Sequence, residues 1–138
     1  MTPMYVMDAC ALIAFLNAEE GARVVADILR DVRGEKAKIT MHVLNLLEVY
    51  YGVYRDVGKE EAADMLKTAK QLPMTINYQI DQAFLEEAGR LKATHKISLA
   101  DSIAVAQAAI LGAKLLTSDH HELDVVEEKE PIEIVWIR

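Results

Sequence analysis

Two rhythms of apolar and polar residues divide this chain. Short apolar runs at residues 4–7, 37–41, 74–77, 114–117 and 132–137 read as strands. Between them, apolar positions recur at helical spacing. In 19–33 they are Val24, Val25, Ile28, Leu29 and Val32, and in 80–94 they are Phe84, Leu85, Ala88 and Leu91. Segments 9–17, 43–54 and 58–72 also read as helices. Segment 99–111 is apolar on nearly every side and predicts a buried helix. Gly34, Pro73 and Gly112 punctuate the ends of three of these helices. Residues 120–125 predict a short helix, and the acidic run 127–130 with Pro131 predicts a turn.

Strands alternating with helices imply an α/β fold with a mostly parallel sheet covered on both faces. No repeat or Pro/Gly/Ser-rich linker interrupts the pattern, so residues 1–138 are expected to form one domain. Sheets of this kind bind ligands outside the carboxyl ends of their strands, where strand order reverses. Four acids from distant stretches converge on that rim. Asp8 ends the first strand and Asp119 follows the fourth. Glu48 lies in the helix after the second strand, and Asp101 in the first turn of the helix leading into the fourth.

Each acid has a simpler explanation. Asp8 and Asp119 each precede a helix and suit an N-cap. Asp101 stands three residues after Ser98, as in a capping box. Glu48 is harder to dismiss, because no other charge lies near it until Arg55. Together the four carry more weight than singly. Like charges gathered at one rim raise one another's pKa unless a cation sits among them. Hard carboxylate oxygens select Mg²⁺ or Mn²⁺, which pair readily with phosphates. His120 and His121 are adjacent, His42 and His95 isolated, and none has zinc-site spacing.

Composition modifies this picture in two ways. Among 138 residues, 15 Lys and Arg stand against 22 Asp and Glu, a net charge of −7 that by itself argues against a nucleic-acid partner. The four rim acids account for more than half of that excess, so the acidity reads in large part as a metal trap. Candidate phosphate-gripping cations are Arg23, Arg30, Arg33, Lys36 and Lys38, and then Arg90, Lys92 and Lys96, all interleaved with acids. The single cysteine, Cys10, and the lack of any apolar run of roughly 18 residues suggest a cytoplasmic protein without a membrane span.

Four blocks carry a family resemblance. They are Val6-Met7-Asp8-Ala9-Cys10-Ala11-Leu12-Ile13-Ala14, Asn45-Leu46-Leu47-Glu48-Val49-Tyr50-Tyr51-Gly52, Leu99-Ala100-Asp101-Ser102-Ile103-Ala104-Val105-Ala106 and Leu115-Leu116-Thr117-Ser118-Asp119. In this order and spacing the chain resembles PIN domains, and among them the VapC-type toxins of prokaryotic toxin–antitoxin pairs. The resemblance implies a three-layer α/β/α sandwich with a parallel sheet of four to five strands. It implies a Mg²⁺- or Mn²⁺-dependent endoribonuclease whose catalytic and metal-binding acids are Asp8, Glu48, Asp101 and Asp119. Asp8 and Asp101 would be the most constant ligands, with Thr117, Asn45 and Ser102 supporting them. Cys10 stands where many relatives carry Ser. An RNA substrate, a small antitoxin partner and a homodimer follow from the same resemblance. Val49, Tyr50, Val53 and Tyr54 are expected in the core or at such an interface.

Two other classes share strand-end acids. A haloacid-dehalogenase-like phosphohydrolase needs a second Asp two residues after the first, where this chain has Cys10. A non-catalytic module of the same fold would be expected to lose some of the four acids, and all four are present.

Overall fold

The computed structural model describes residues 2–138. Its elements, in chain order, are β1 (Met4–Met7), α1 (Ala9–Leu16), α2 (Ala22–Arg33), β2 (Lys38–His42), α3 (Val43–Asp56), α4 (Lys59–Gln71) and β3 (Thr75–Asn77). There follow α5 (Gln82–Thr94), α6 (Leu99–Leu111), β4 (Lys114–Thr117), α7 (His120–Lys129) and β5 (Ile134–Trp136). All five expected strands form, and they make one sheet of order β3-β2-β1-β4-β5 in which every pairing is parallel.

Parallel strands bury both faces, so successive residues must serve two cores. Val6 pairs with Leu115 and Met7 with Leu116. Met7 and Leu116 join Ile39, Met41, Leu12, Val25 and Val49 under α1–α4. Val6 and Leu115 join Phe84, Leu91, Val105, Leu123 and Ile134 under α5–α7. The resulting sandwich has three layers.

Helix α6 is buried from Asp101 to Ala108, as its all-round apolarity requires. Gly112 ends it in the left-handed conformation, with φ of 62°. Two boundaries depart furthest from the sequence reading. Helix α2 begins at Ala22, because residues 18–21 make a turn that closes on Gly21 with φ of 96°. Helix α7 runs on through Lys129, so the acidic run is mostly helical and its turn is confined to residues 130–131. Val126, fully buried, holds that extra turn against the core, and local polarity gave no sign of it. No helix among the described residues is long and apolar enough to cross a membrane.

Candidate metal centre

Strands β1 and β4 are neighbours at the middle of the sheet, and sheet order reverses between them. Each leads into an acid at its carboxyl end. Asp8 follows β1 directly and caps α1, its Oδ1 accepting the Ala11 N–H at 2.8 Å. Its Oδ2 is buried and accepts no hydrogen bond from the protein. One oxygen therefore does the capping and the other is left for the site. Asp119 caps α7 by accepting the Glu122 N–H at 3.3 Å.

Ser98 caps α6, its Oγ accepting the Asp101 N–H at 3.1 Å. A reciprocal capping box would turn the Asp101 carboxylate back onto the Ser98 N–H. Here Glu122 Oε1 accepts that N–H at 2.7 Å instead. The Asp101 carboxylate is thereby freed, and its buried Oδ2 has no hydrogen-bond donor. Asp101, Asp119 and Glu122 each present an oxygen within 4.8 Å of the other two. These three line one end of a groove of about 810 Å³ with Asp8 and Glu48, whose walls come from α1, α3 and α4.

The supporting residues behave differently from one another. Thr117 Oγ1 accepts the Asp119 N–H at 3.0 Å, and the same side chain draws the Asp8 pKa down. Asn45, one helical turn before Glu48, donates from Nδ2 to the Ala100 carbonyl at 2.9 Å and so ties α3 to the first turn of α6. Ser102 donates to the Leu99 carbonyl at 2.6 Å, within its own helix.

Electrostatics follow from the crowding. Burial pushes Asp8 up to about 7, with Thr117 and the Ala11 N–H drawing it down and the charges of Asp119 and Glu48 adding to the rise. Burial, then Glu122 and Asp119, push Asp101 well above the carboxylate range, while the nearness of Asp101 holds Glu122 low. Glu48 is raised by burial and by Glu122 and Asp119. Cys10 is driven up to about 12 by burial and the surrounding acids, which keeps its thiol protonated and unsuited to nucleophilic attack.

These residues fit a divalent cation. Two buried carboxylate oxygens without donors carry a desolvation penalty of roughly 1–3 kcal/mol each, which a cation relieves. The donors are all hard oxygens, which suits Mg²⁺ or Mn²⁺ and not a softer metal.

Sequence reading placed four acids at this rim and missed the fifth, Glu122. Its signal was available: it stands three residues after Asp119, where a capping acid belongs. None of the candidate cations lines the groove, in keeping with their place among acids on the solvated surface. Arg90 is engaged with Glu87 and Glu130, and Arg55 is the one Lys or Arg among the groove-lining residues. Val49 is core, Tyr50 and Val53 pack against it, and Tyr54 is exposed.

A three-layer parallel α/β sandwich with a carboxylate-lined groove at its switch point is thus the class defined by fold and site. The chain belongs to the PIN domain family, whose pattern it matches over residues 5–129. No curated protein sequence matches it. Solved structures share its fold. DNA-bound VapBC from Salmonella typhimurium aligns with a TM-score of 0.74 at 14% identity over 100% of both chains. VapBC2 from Rickettsia felis, bound to a DNA fragment from its promoter, gives 0.74 at 15% identity over 96% of this chain and 98% of that one. VapC20 from Mycobacterium tuberculosis, a toxin that cleaves the sarcin–ricin loop, gives 0.65 at 14% identity over 91% and 95%.

Proposed function

We propose that this protein is a Mg²⁺- or Mn²⁺-dependent endoribonuclease and the toxin of a toxin–antitoxin pair. The observation that carries the activity is the convergence of five acids on one groove, with the buried Oδ2 atoms of Asp8 and Asp101 left without donors. The toxin role is supported by family membership and by the VapBC complexes that share the fold. A small antitoxin partner is supported by the toxin–antitoxin complexes among the structural neighbours, and a homodimer and a cytoplasmic location belong to the same proposal.

Asp8, Asp101, Asp119 and Glu122 would hold the metal. When bound, a divalent ion lowers the pKa of water and stabilises charge on phosphoryl oxygens. Thr117 fixes the backbone at Asp119 by accepting its N–H. Glu122 keeps Asp101 turned into the groove by taking the Ser98 N–H. Glu48 stands outside the Asp101–Asp119–Glu122 triad and is half-buried. With its pKa raised, its carboxylate is suited to accept the proton of the attacking water.

Cleavage of single-stranded and structured RNA, with Mg²⁺ or Mn²⁺ and with excess EDTA, tests the activity. Wild type is expected to cut only with metal, and Asp101→Ala to lose at least about a hundredfold in rate. Cleavage persisting in EDTA, or full activity in Asp101→Ala, refutes the reading. Co-purification of the product of an adjacent small reading frame tests the toxin role.

A further inference from the structure

Helix α3 presents a second feature to the groove beyond its acid. Glu48, Tyr51, Gly52 and Arg55 all line it, at positions i, i+3, i+4 and i+7 of one helix face. Along the axis the α-carbon of Tyr51 lies about 4.5 Å and that of Arg55 about 10.5 Å from that of Glu48. Tyr51 is the one aromatic residue among the groove-lining residues, and it is 48% exposed. Beside it Gly52 leaves open space, since a β-carbon there would meet nothing within 4 Å. Arg55 is bound only by its neighbour Asp56, at 2.9 Å, with both side chains mostly in water. Such a pair is weak and leaves the guanidinium available.

We propose that this stripe is a nucleotide subsite, in which an unpaired base next to the cleaved phosphate stacks on Tyr51 and the following phosphate meets Arg55. The proposal rests on the ribonuclease reading and deepens it. Single-stranded nucleic acid is held by this combination of an aromatic face and a nearby cation, with little dependence on sequence. Five of the groove's carboxylates face the metal site, and Asp56, Glu61 and Asp64 are the others, so Arg55 must exchange its exposed pair with Asp56 for the phosphate.

The test is fluorescence anisotropy of a labelled uridylate dodecamer and of an abasic strand of equal length. It is made with the full chain in Ca²⁺, a hard cation of weak Lewis acidity. Wild type is expected to bind uridylate more tightly than the abasic strand. Tyr51→Ala is expected to lose about tenfold on uridylate and nothing on the abasic strand, with Tyr51→Phe retaining affinity. Arg55→Ala is expected to weaken both strands and to flatten the salt dependence.

Equal uridylate affinity in Tyr51→Ala and wild type, or an equal loss on both strands, overturns the proposal. So does a result in which an Arg-rich amphipathic peptide binds in a Tyr51-dependent way and uridylate does not, which assigns the face to protein docking. Mn²⁺ titration by calorimetry separates this from the parent reading. Tyr51→Ala should bind Mn²⁺ like wild type and Asp101→Asn should not. If Asp101→Asn matches wild type, the metal centre itself is refuted.

Discussion

Asp8 serves two structures with its two oxygens. Oδ1 completes the first turn of α1, and Oδ2 is buried without a donor. An N-cap and a metal ligand looked like competing explanations in the sequence, and the folded residue is built for both. Its folded pKa, about 7, lies above its ordinary 3.8, so the native state holds the proton more tightly than the unfolded chain. That stability is fully present below about pH 4 and is lost as pH rises through 7. In EDTA, wild type is therefore expected to melt at a lower temperature at pH 8 than at pH 5.5. Asp8→Asn should recover part of the loss, up to roughly 4 kcal/mol. Parallel melting-temperature profiles for the two proteins would refute this. Glu122 shows the opposite limit of local reading. It was not singled out in the sequence, and its bond to the Ser98 N–H crosses from α7 to α6 and appears only in the folded chain.

Helix α7 carries Asp119 and Glu122 at its start and is anchored at its end. Its C-cap, Glu130, accepts from Arg90 at 2.7 Å and lies 2.7 Å from His95 Nε2. Arg90 first, and then His95, hold Glu130 below the usual carboxylate range. The His95 side chain is 4% exposed and that of Glu130 8%, whereas Arg90 is 49% exposed. Removing the buried acceptor leaves His95 without its partner, so Glu130→Ala should cost about 1–3 kcal/mol. Arg90→Ala, which removes a half-exposed partner, should cost less. Urea melts give both numbers, and equal costs would contradict the ranking. The turn between α1 and α2 is a second fixed point. A β-carbon on Gly21 would lie 2.7 Å from the Ile137 carbonyl oxygen, on a backbone with φ of 96°. Gly21→Ala is expected to destabilise by at least about 1–3 kcal/mol, visible in the same melts. The chain reading located the helices through apolar spacing and caps. It placed the start of α2 and the end of α7 wrongly, because those boundaries depend on contacts with the sheet and the core.

The whole molecule gathers its charge unevenly. Of a net −7, a large share lies around one groove, where repulsion and desolvation oppose folding until a cation is bound. Mg²⁺ or Mn²⁺ at 100 times its dissociation constant is expected to stabilise the fold by about 2.7 kcal/mol. Differential scanning calorimetry should show that rise and its reversal by EDTA, and Asp101→Asn should abolish it. An equal rise in Asp101→Asn would place the ion elsewhere.

Alternation of apolar strands with helical repeats was enough to specify a parallel α/β sandwich, because such strands need helices on both faces and five of them are too few to close a barrel. The four rim acids were legible for a related reason: strand ends and helix starts are local features, and a parallel sheet brings them to one edge. Strand order was not legible, since any parallel order satisfies the same pattern. Packing decided it, and with it the adjacency of β1 and β4 that sets Asp8 beside Asp119. The orphaned oxygens, the Ser98–Glu122 clip and the Tyr51–Arg55 stripe facing the groove likewise depend on distances between elements far apart in the chain, which residue spacing does not contain.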